Sequence, residues 1–134
     1  MTIVSAKTKA RANRILERYN IRVEYGLWGF CHAKPPQNWI YLCTQQSDND
    51  FLTALFHEIQ HVLNYRNGKY KTYHNLCKTK KEYLRWALPA ERYTDREAAK
   101  LAKFHNFHNY DMCYYKPWAK DFIIKVANQI YGED

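Results

Sequence analysis

The sequence predicts an α+β fold, a mostly helical single domain with a small β-sheet, on three observations. Leu52, Leu55, Phe56, Ile59, Val62 and Leu63 recur at helical spacing, so one long helix turns an apolar stripe toward a core. A second helical stretch opens at Leu88-Pro89-Ala90-Glu91 and carries small side chains along one face. Two short segments, Ile21 to Tyr25 and Asn38 to Cys43, have the alternating or apolar character of strands and are separated by glycine- and proline-bearing turns. At 134 residues, 46% of them hydrophobic, the chain can bury one core but has no room for two full domains.

In chain order, Ala6 to Tyr19 reads as a basic amphipathic helix with Ala12, Ile15 and Leu16 inward. The strand at Ile21 follows, Gly26 to Gly29 bends the chain toward Cys31, and Lys34-Pro35-Pro36-Gln37 leads into the second strand, with which the first is expected to pair. Asp48, Asn49 and Asp50 offer capping oxygens to the long helix, placed at about residues 49 to 66. Asn67-Gly68 supplies residue types that tolerate the left-handed conformation ending a helix. Gly68 to Thr79 is expected to be a tyrosine-rich loop crossing a cleft, and Lys80 to Ala87 a short helix ahead of Pro89. The helix begun at Pro89 continues to Lys103. Pro117 then starts a last helix with an apolar stripe of Trp118, Phe122, Ile123, Val126, Ile130 and Tyr131.

Composition narrows the classes of function. No long apolar run occurs, and the first residues lack an uncharged hydrophobic region, so neither a membrane span nor a secretory signal is indicated and a cytoplasmic location is expected. Cys31, Cys43, Cys77 and Cys113 show no C-x-x-C spacing, which argues against a zinc ribbon and fits reduced, buried thiols. A net charge of +8 draws the protein to anionic partners. Lys and Arg are dense from Arg66 to Lys103, with Tyr70, Tyr73, Tyr83, Trp86 and Tyr93 interleaved, so nucleic acid or an acidic protein is a possible partner; the plainer reading is a solvated basic face.

The stretch His57-Glu58-Ile59-Gln60-His61 is an H-E-x-x-H motif. Positions four apart on a helix lie one above the other, so both imidazoles can hold one metal ion while Glu58 reaches the water bound to it. Ala54, His57, His61 and Asn64 line a face beside the apolar stripe, where a cleft would lie. The bland alternative is a pair of core histidines bonded to backbone.

A catalytic zinc commonly takes three protein ligands and keeps a fourth position for water, so one ligand is still to be found. Glu91, Asp95, Ala98 and Ala102 share a face of the second helix, with Thr94 close by. There Glu91 would ligate, and Asp95, one turn on, would accept the outer N–H of a ligating histidine and fix its tautomer. The competing reading makes both carboxylates a solvated face paired with Arg92, Arg96 or Lys100; Glu97 is expected to be such a surface residue. His74, His105, His108, Cys77 and Cys113 are rival ligands.

HEIQH together with Glu91-Arg92-Tyr93-Thr94-Asp95-Arg96-Glu97-Ala98 resembles gluzincin-type metallopeptidases, in which a second helix carries E-x-x-x-D. Among small ones it looks most like the ImmA/IrrE-type peptidase domains of bacteria, mobile elements and phages, over roughly residues 38 to 103. That resemblance implies a zincin-like helix packed against the E-x-x-x-D helix, with His57, His61 and Glu91 as zinc ligands, Glu58 as general base and Asp95 as the partner behind a ligand. The expected activity is hydrolysis of peptide bonds in an intracellular protein by a zinc-activated water. A second donor for the oxyanion would come from His74, Tyr65, Tyr70 or one of Tyr110, Tyr114 and Tyr115. The alternative is a non-hydrolytic module in which Zn²⁺ stabilises the fold and the basic surface binds nucleic acid or an acidic protein.

Overall fold

A computed structural model describes residues 2–34, 37–69 and 77–133. Its elements run α1 (Ala6–Arg18), β1 (Arg22–Gly26), β2 (His32–Ala33), β3 (Trp39–Cys43), α2 (Asp48–Arg66), α3 (Lys80–Phe104), a 3-10 turn (Cys113–Tyr115) and α4 (Ala119–Tyr131). The architecture is α+β and mostly helical, as the sequence predicts. Among the described residues, no helix is long and apolar enough to cross a membrane. The expected loop over residues 68–79 lies largely outside the described residues, and His74, Tyr70 and Tyr73 with it.

The two expected strands pair, and in parallel: Arg22 faces Trp39 and Gly26 faces Cys43. Too short to be read from sequence, β2 adds to the other edge of β3 antiparallel, giving the order β1-β3-β2. Ile40 and Leu42 of the central strand are fully buried. They meet Phe51, Leu55, Phe56 and Ile59 of α2 and Leu16 of α1 in the main core. Gly26 is required where it stands, because a Cβ there would overlap the phenol of Tyr41, which crosses the strand end to donate its hydroxyl to the Trp28 carbonyl.

Three helices end alike. In each, a left-handed residue follows the cap and two backbone N–H groups turn back onto orphan carbonyls, the Schellman arrangement. Asn20 (φ 55°) closes α1 with Ile21 N–H on Leu16 O at 3.0 Å. Gly68 (φ 70°) closes α2 with Lys69 N–H on Asn64 O at 2.8 Å, and Asn106 (φ 64°) closes α3 with Phe107 N–H on Ala102 O at 2.9 Å. Only the second of these was marked by the sequence reading of Asn67-Gly68.

The helix starts depart from expectation. Ser47, not the acidic run after it, caps α2 by accepting from Asp50 N–H at 3.1 Å. Asp48 is thereby freed to take the N–H and hydroxyl of Ser5, at 2.7 and 2.9 Å, while Ser5 caps α1 through Thr8 N–H. The starts of α1 and α2 are thus tied across 43 residues. Pro89 does not open a helix: α3 is continuous from Lys80, capped by Thr79 with Glu82 folded back onto Lys78 N–H. Proline costs a helix interior one hydrogen bond, about 3 kcal/mol. Pro89 lies on the exposed face, where water can reach the deprived carbonyl, while Ala87 and Ala90 beside it are buried. Along α4 the buried positions are Ala119, Ile123 and Ala127, the last two packing with Tyr83, Ala87 and Cys77; Trp118 and Ile130 of the expected stripe are 45% and 47% exposed.

The Ser5 bonds hold the Asp48 carboxyl below its ordinary pKa of 3.8. A depressed carboxylate stabilises the fold above its unfolded pKa, and that contribution fades as pH falls through the folded one. Asp48→Asn should therefore lower the thermal midpoint at pH 7, with the gap to the parent closing as pH is taken below about 4. Ser5→Ala, which removes the cap, should cost about 1 kcal/mol in a denaturant titration at pH 7.

Candidate metal centre

Helical periodicity of α2 sets His57 and His61 one turn apart on the side facing α3. Ala98 and Ala102 of α3, both fully buried, let the two helices approach closely. Between them runs a buried polar chain: Gln60 Nε2 donates to Asn64 Oδ1 (2.8 Å), Asn64 Nδ2 to Thr94 Oγ1 (3.1 Å) and Thr94 Oγ1 to Ala90 O (2.9 Å). This fixes the register of α3 on α2 and delivers Glu91 and Asp95 to the histidines.

The three expected ligands meet. His61 Nε2 lies 2.8 Å from Glu91 Oε1, His57 Nε2 lies 3.3 Å from the same oxygen, and the two Nε2 atoms are 3.1 Å apart. His57, His61 and Glu91 form a group that can hold a metal ion. The chemistry of the donor set fits one. His57 Nδ1 faces Asp95 Oδ1 at 3.0 Å, which places the ring proton on Nδ1 and turns the Nε2 lone pair toward another nitrogen and a carboxylate oxygen. Atoms converging this closely suit a cation among them, or in its absence a proton shared between the histidines and Glu91. Tetrahedral bonds of about 2.0–2.1 Å separate ligand atoms by about 3.3 Å, close to the spacings here.

Charge shifts tell the same story. Burial works against a charged His57, yet the hydrogen bonds to Asp95 and Glu91 outweigh it and raise its pKa well above the ordinary value. Burial would raise Glu91, but His61 and His57 hold its carboxyl far below the usual range. Glu58 differs: burial raises its pKa, and His57 and His61 offset this only in part. It is 8% exposed and lines the cleft beside His57, as a proton acceptor should.

Asp95, 1% exposed, has both oxygens of its carboxylate engaged. Oδ1 accepts from Tyr110 hydroxyl (2.6 Å) and faces His57 Nδ1, and Oδ2 accepts from Tyr114 N–H (2.8 Å). The Tyr114 ring stacks on His57 with centroids 5.4 Å apart, and its hydroxyl hydrogen-bonds Glu91. Burial, with nearby carboxylates, raises the pKa of both tyrosines, so both are donors. Arg92 and Arg96 do not pair with Glu91 or Asp95. Arg92 Nε donates to Tyr114 O at 2.9 Å and Arg96 to the Tyr115 hydroxyl, clamping the 3-10 turn onto α3. Glu97 pairs with Lys100 on the surface, as expected.

A cleft of about 440 Å³ opens beside the centre. Its floor is Asp50, Ala54, His57 and Glu58 of α2, and its walls carry Phe30, Tyr114, Trp118 and Phe122. Phe30 meets Phe122 edge-on at 5.7 Å and Trp118 meets Phe122 at 5.9 Å, a continuous aromatic wall. Sequence reading missed this wall and treated Trp118 and Phe122 as core. It named Tyr110 and Tyr114 only as possible oxyanion donors, and their bonds to the Asp95 and Glu91 carboxylates lacked any local signal.

The rival ligands fall elsewhere. His105 sits behind the core against Tyr19 and Phe56, and His108 is exposed. Cys77 belongs to the α3–α4 cluster, and Cys113 lines the cleft with its thiol pushed up to about 11 by burial, unlike a ligating thiolate. Tyr65 is half-buried and not among the residues lining the cleft, and His74 lies outside the described residues. No family model, curated protein or solved structure matches the chain.

Metal titration checks the centre. The protein should take up one equivalent of Zn²⁺, and His61→Ala or Glu91→Ala should abolish stoichiometric uptake by atomic absorption. Asp95→Asn keeps all three ligands and should weaken zinc affinity by about 10–100-fold in a chelator competition.

Proposed function

We propose that the protein is a zinc-dependent metallopeptidase of the zincin type, acting on peptide bonds of a protein substrate. The observation that carries this reading is the convergence of His57, His61 and Glu91 with Glu58 beside them on the cleft floor. Two nitrogens and one carboxylate oxygen, with a position left for water, is a donor set of hydrolytic zinc sites. Placement of Glu91 and Asp95 one turn apart on a facing helix supports the likeness to small gluzincins of the ImmA/IrrE kind.

When bound, zinc supplies Lewis acidity that brings the pKa of a water toward neutrality and polarises a carbonyl. Glu58 accepts the proton of the attacking water, its raised pKa suiting it to hold that proton and hand it to the leaving amine. Asp95 keeps the His57 ring in the tautomer that leaves Nε2 free to ligate. Tyr114 is the second donor to the oxyanion. Its neutral hydroxyl rests on Glu91, the ligand nearest to where a substrate oxygen would sit, whereas the Tyr110 hydroxyl is held on Asp95 behind His57 and that of Tyr115 lies on the Arg92–Arg96 side. The aromatic wall favours a substrate with a bulky apolar side chain near the scissile bond, since little else would cover Phe30 at 69% exposure.

Cleavage of a quenched-fluorescence peptide library by the zinc-loaded protein tests the reading. Glu58→Gln should retain one zinc and lose about 10²–10⁴-fold in kcat. Tyr114→Phe, which keeps the ring on His57, should lower kcat by about 10²-fold with KM little changed. Phe30→Ala with Trp118→Ala should instead raise KM for peptides bearing Phe or Leu. Full activity in Glu58→Gln, or no cleavage of any library member by a protein that holds zinc, would overturn the assignment.

A further inference from the structure

The far end of α3 carries a second surface unrelated to the cleft. Arg11, Arg14 and Arg18 fall at i, i+3 and i+7 of α1, hence on one face, and exposed Lys7 extends the row by a turn. With Ile15 and His105 the three arginines line a groove of about 180 Å³. Arg11 Nη2 is anchored on the His105 carbonyl at 2.8 Å, where a cation also suits the C-terminal end of α3. The Arg18 guanidinium lies 5.7 Å from the centroid of Phe104, a ring 67% exposed.

Beneath the groove His105 is wedged between Tyr19, whose hydroxyl is 2.7 Å from Nε2, and the face of Phe56. Burial, Arg18 and Arg11 push its pKa below the ordinary value, so the ring stays neutral under a positive field. Among the described residues, no carboxylate forms an ion pair with Arg14 or Arg18. Arg14 and Arg18 are therefore held without a paired carboxylate, beside an aromatic ring that is largely exposed.

We propose that this groove binds single-stranded nucleic acid, with Arg14 and Arg18 on the phosphodiester backbone and Phe104 stacked against a base. A positive groove with an exposed aromatic platform is the arrangement that holds single strands without sequence preference. An acidic peptide would satisfy the arginines and leave the Phe104 ring bare. A duplex keeps its bases stacked on one another and away from the ring. Sequence reading put basic density at Arg66 to Lys103, whereas the groove is built from α1 and the last turn of α3.

Fluorescence anisotropy of a fluorescein-labelled ten-nucleotide oligothymidylate with the full chain tests this. Two backbone contacts predict a slope of about −1.4 in log affinity against log salt between 50 and 200 mM. Arg14→Gln with Arg18→Gln should weaken binding at least tenfold and flatten the slope by about 1.4. Phe104→Ala should weaken it about tenfold at unchanged slope, with recovery in Phe104→Trp. Circular dichroism and zinc content should match the parent in every variant. The proposal falls if polyglutamate competes as well as unlabelled oligonucleotide, if the arginine pair can be replaced without loss, or if Phe104→Ala binds as the parent does.

Discussion

The Asp95 carboxylate is the constraint on which the rest of the centre depends. It sits on α3, reaches His57 on α2, and receives Tyr110 and Tyr114 from the chain that returns after α3. Three segments distant in sequence are pinned to two oxygen atoms. A buried carboxylate without partners would be expelled or protonated, because removal from water costs several kcal/mol. With three donors around it the group becomes a node of the structure, and it sets the donor–acceptor sense of its neighbours. Nδ1 of His57 carries a proton toward Asp95, so in the neutral ring Nε2 is left bare and faces His61 and Glu91.

Keeping that node dry and in register falls to residues with no part in the chemistry. Gln60, Asn64 and Thr94 form a polar chain between the same two helices, and Ala98 and Ala102 supply the close contact beyond it. Each buried donor in the chain has an acceptor, so their net contribution is modest while they are paired and costly if one partner is lost. A slip of α3 by one residue would rotate Glu91 and Asp95 by about 100° around the helix and leave this chain unpaired. Selectivity for one register comes from polar pairing; apolar contact alone, between alanines, would tolerate sliding.

Much of this was legible in sequence, for a local reason. A helix converts spacing directly into direction, so periodicity puts His57 with His61 on one face and Glu91 with Asp95 on another. The meeting of those faces is an expectation from the need for a third ligand and from the gluzincin resemblance. What escaped depended on the path of the chain after α3. Tyr110 and Tyr114 arrive through an irregular segment whose course is set by Asn106 in the left-handed region and by Arg92 holding the Tyr114 carbonyl. Neither is visible in a hydrophobic pattern. Pro89 misled for the opposite reason. A strong local preference for helix starts was overridden because Thr79 and Glu82 already capped the helix upstream and the lost hydrogen bond faces solvent. Trp118 and Phe122 satisfied the periodicity of a core stripe, yet the buried face of α4 is made of Ala119, Ile123 and Ala127, and the large rings wall the cleft instead.

Electrostatically the molecule is divided. The centre gathers the carboxylates of Glu58, Glu91 and Asp95 around two histidines, an arrangement that calls for a cation, whereas the chain as a whole carries +8. A surplus of positive charge near buried carboxylates would weaken their hold on a metal if it came close. Instead Arg92 and Arg96 are turned onto the 3-10 turn, and Arg11, Arg14 and Arg18 lie on α1, facing the other end of α3. At physiological salt a charge is screened over about 8 Å in solvent, so the α1 row and the cleft act on their surroundings almost independently. The same helix, α3, thus presents Glu91 and Asp95 to the candidate metal centre near its middle and helps build a basic groove at its C-terminal end. Phe104 follows Asp95 by 9 residues and Glu91 by 13, about 14 to 20 Å along the helix at 1.5 Å per residue, and this keeps the two apart.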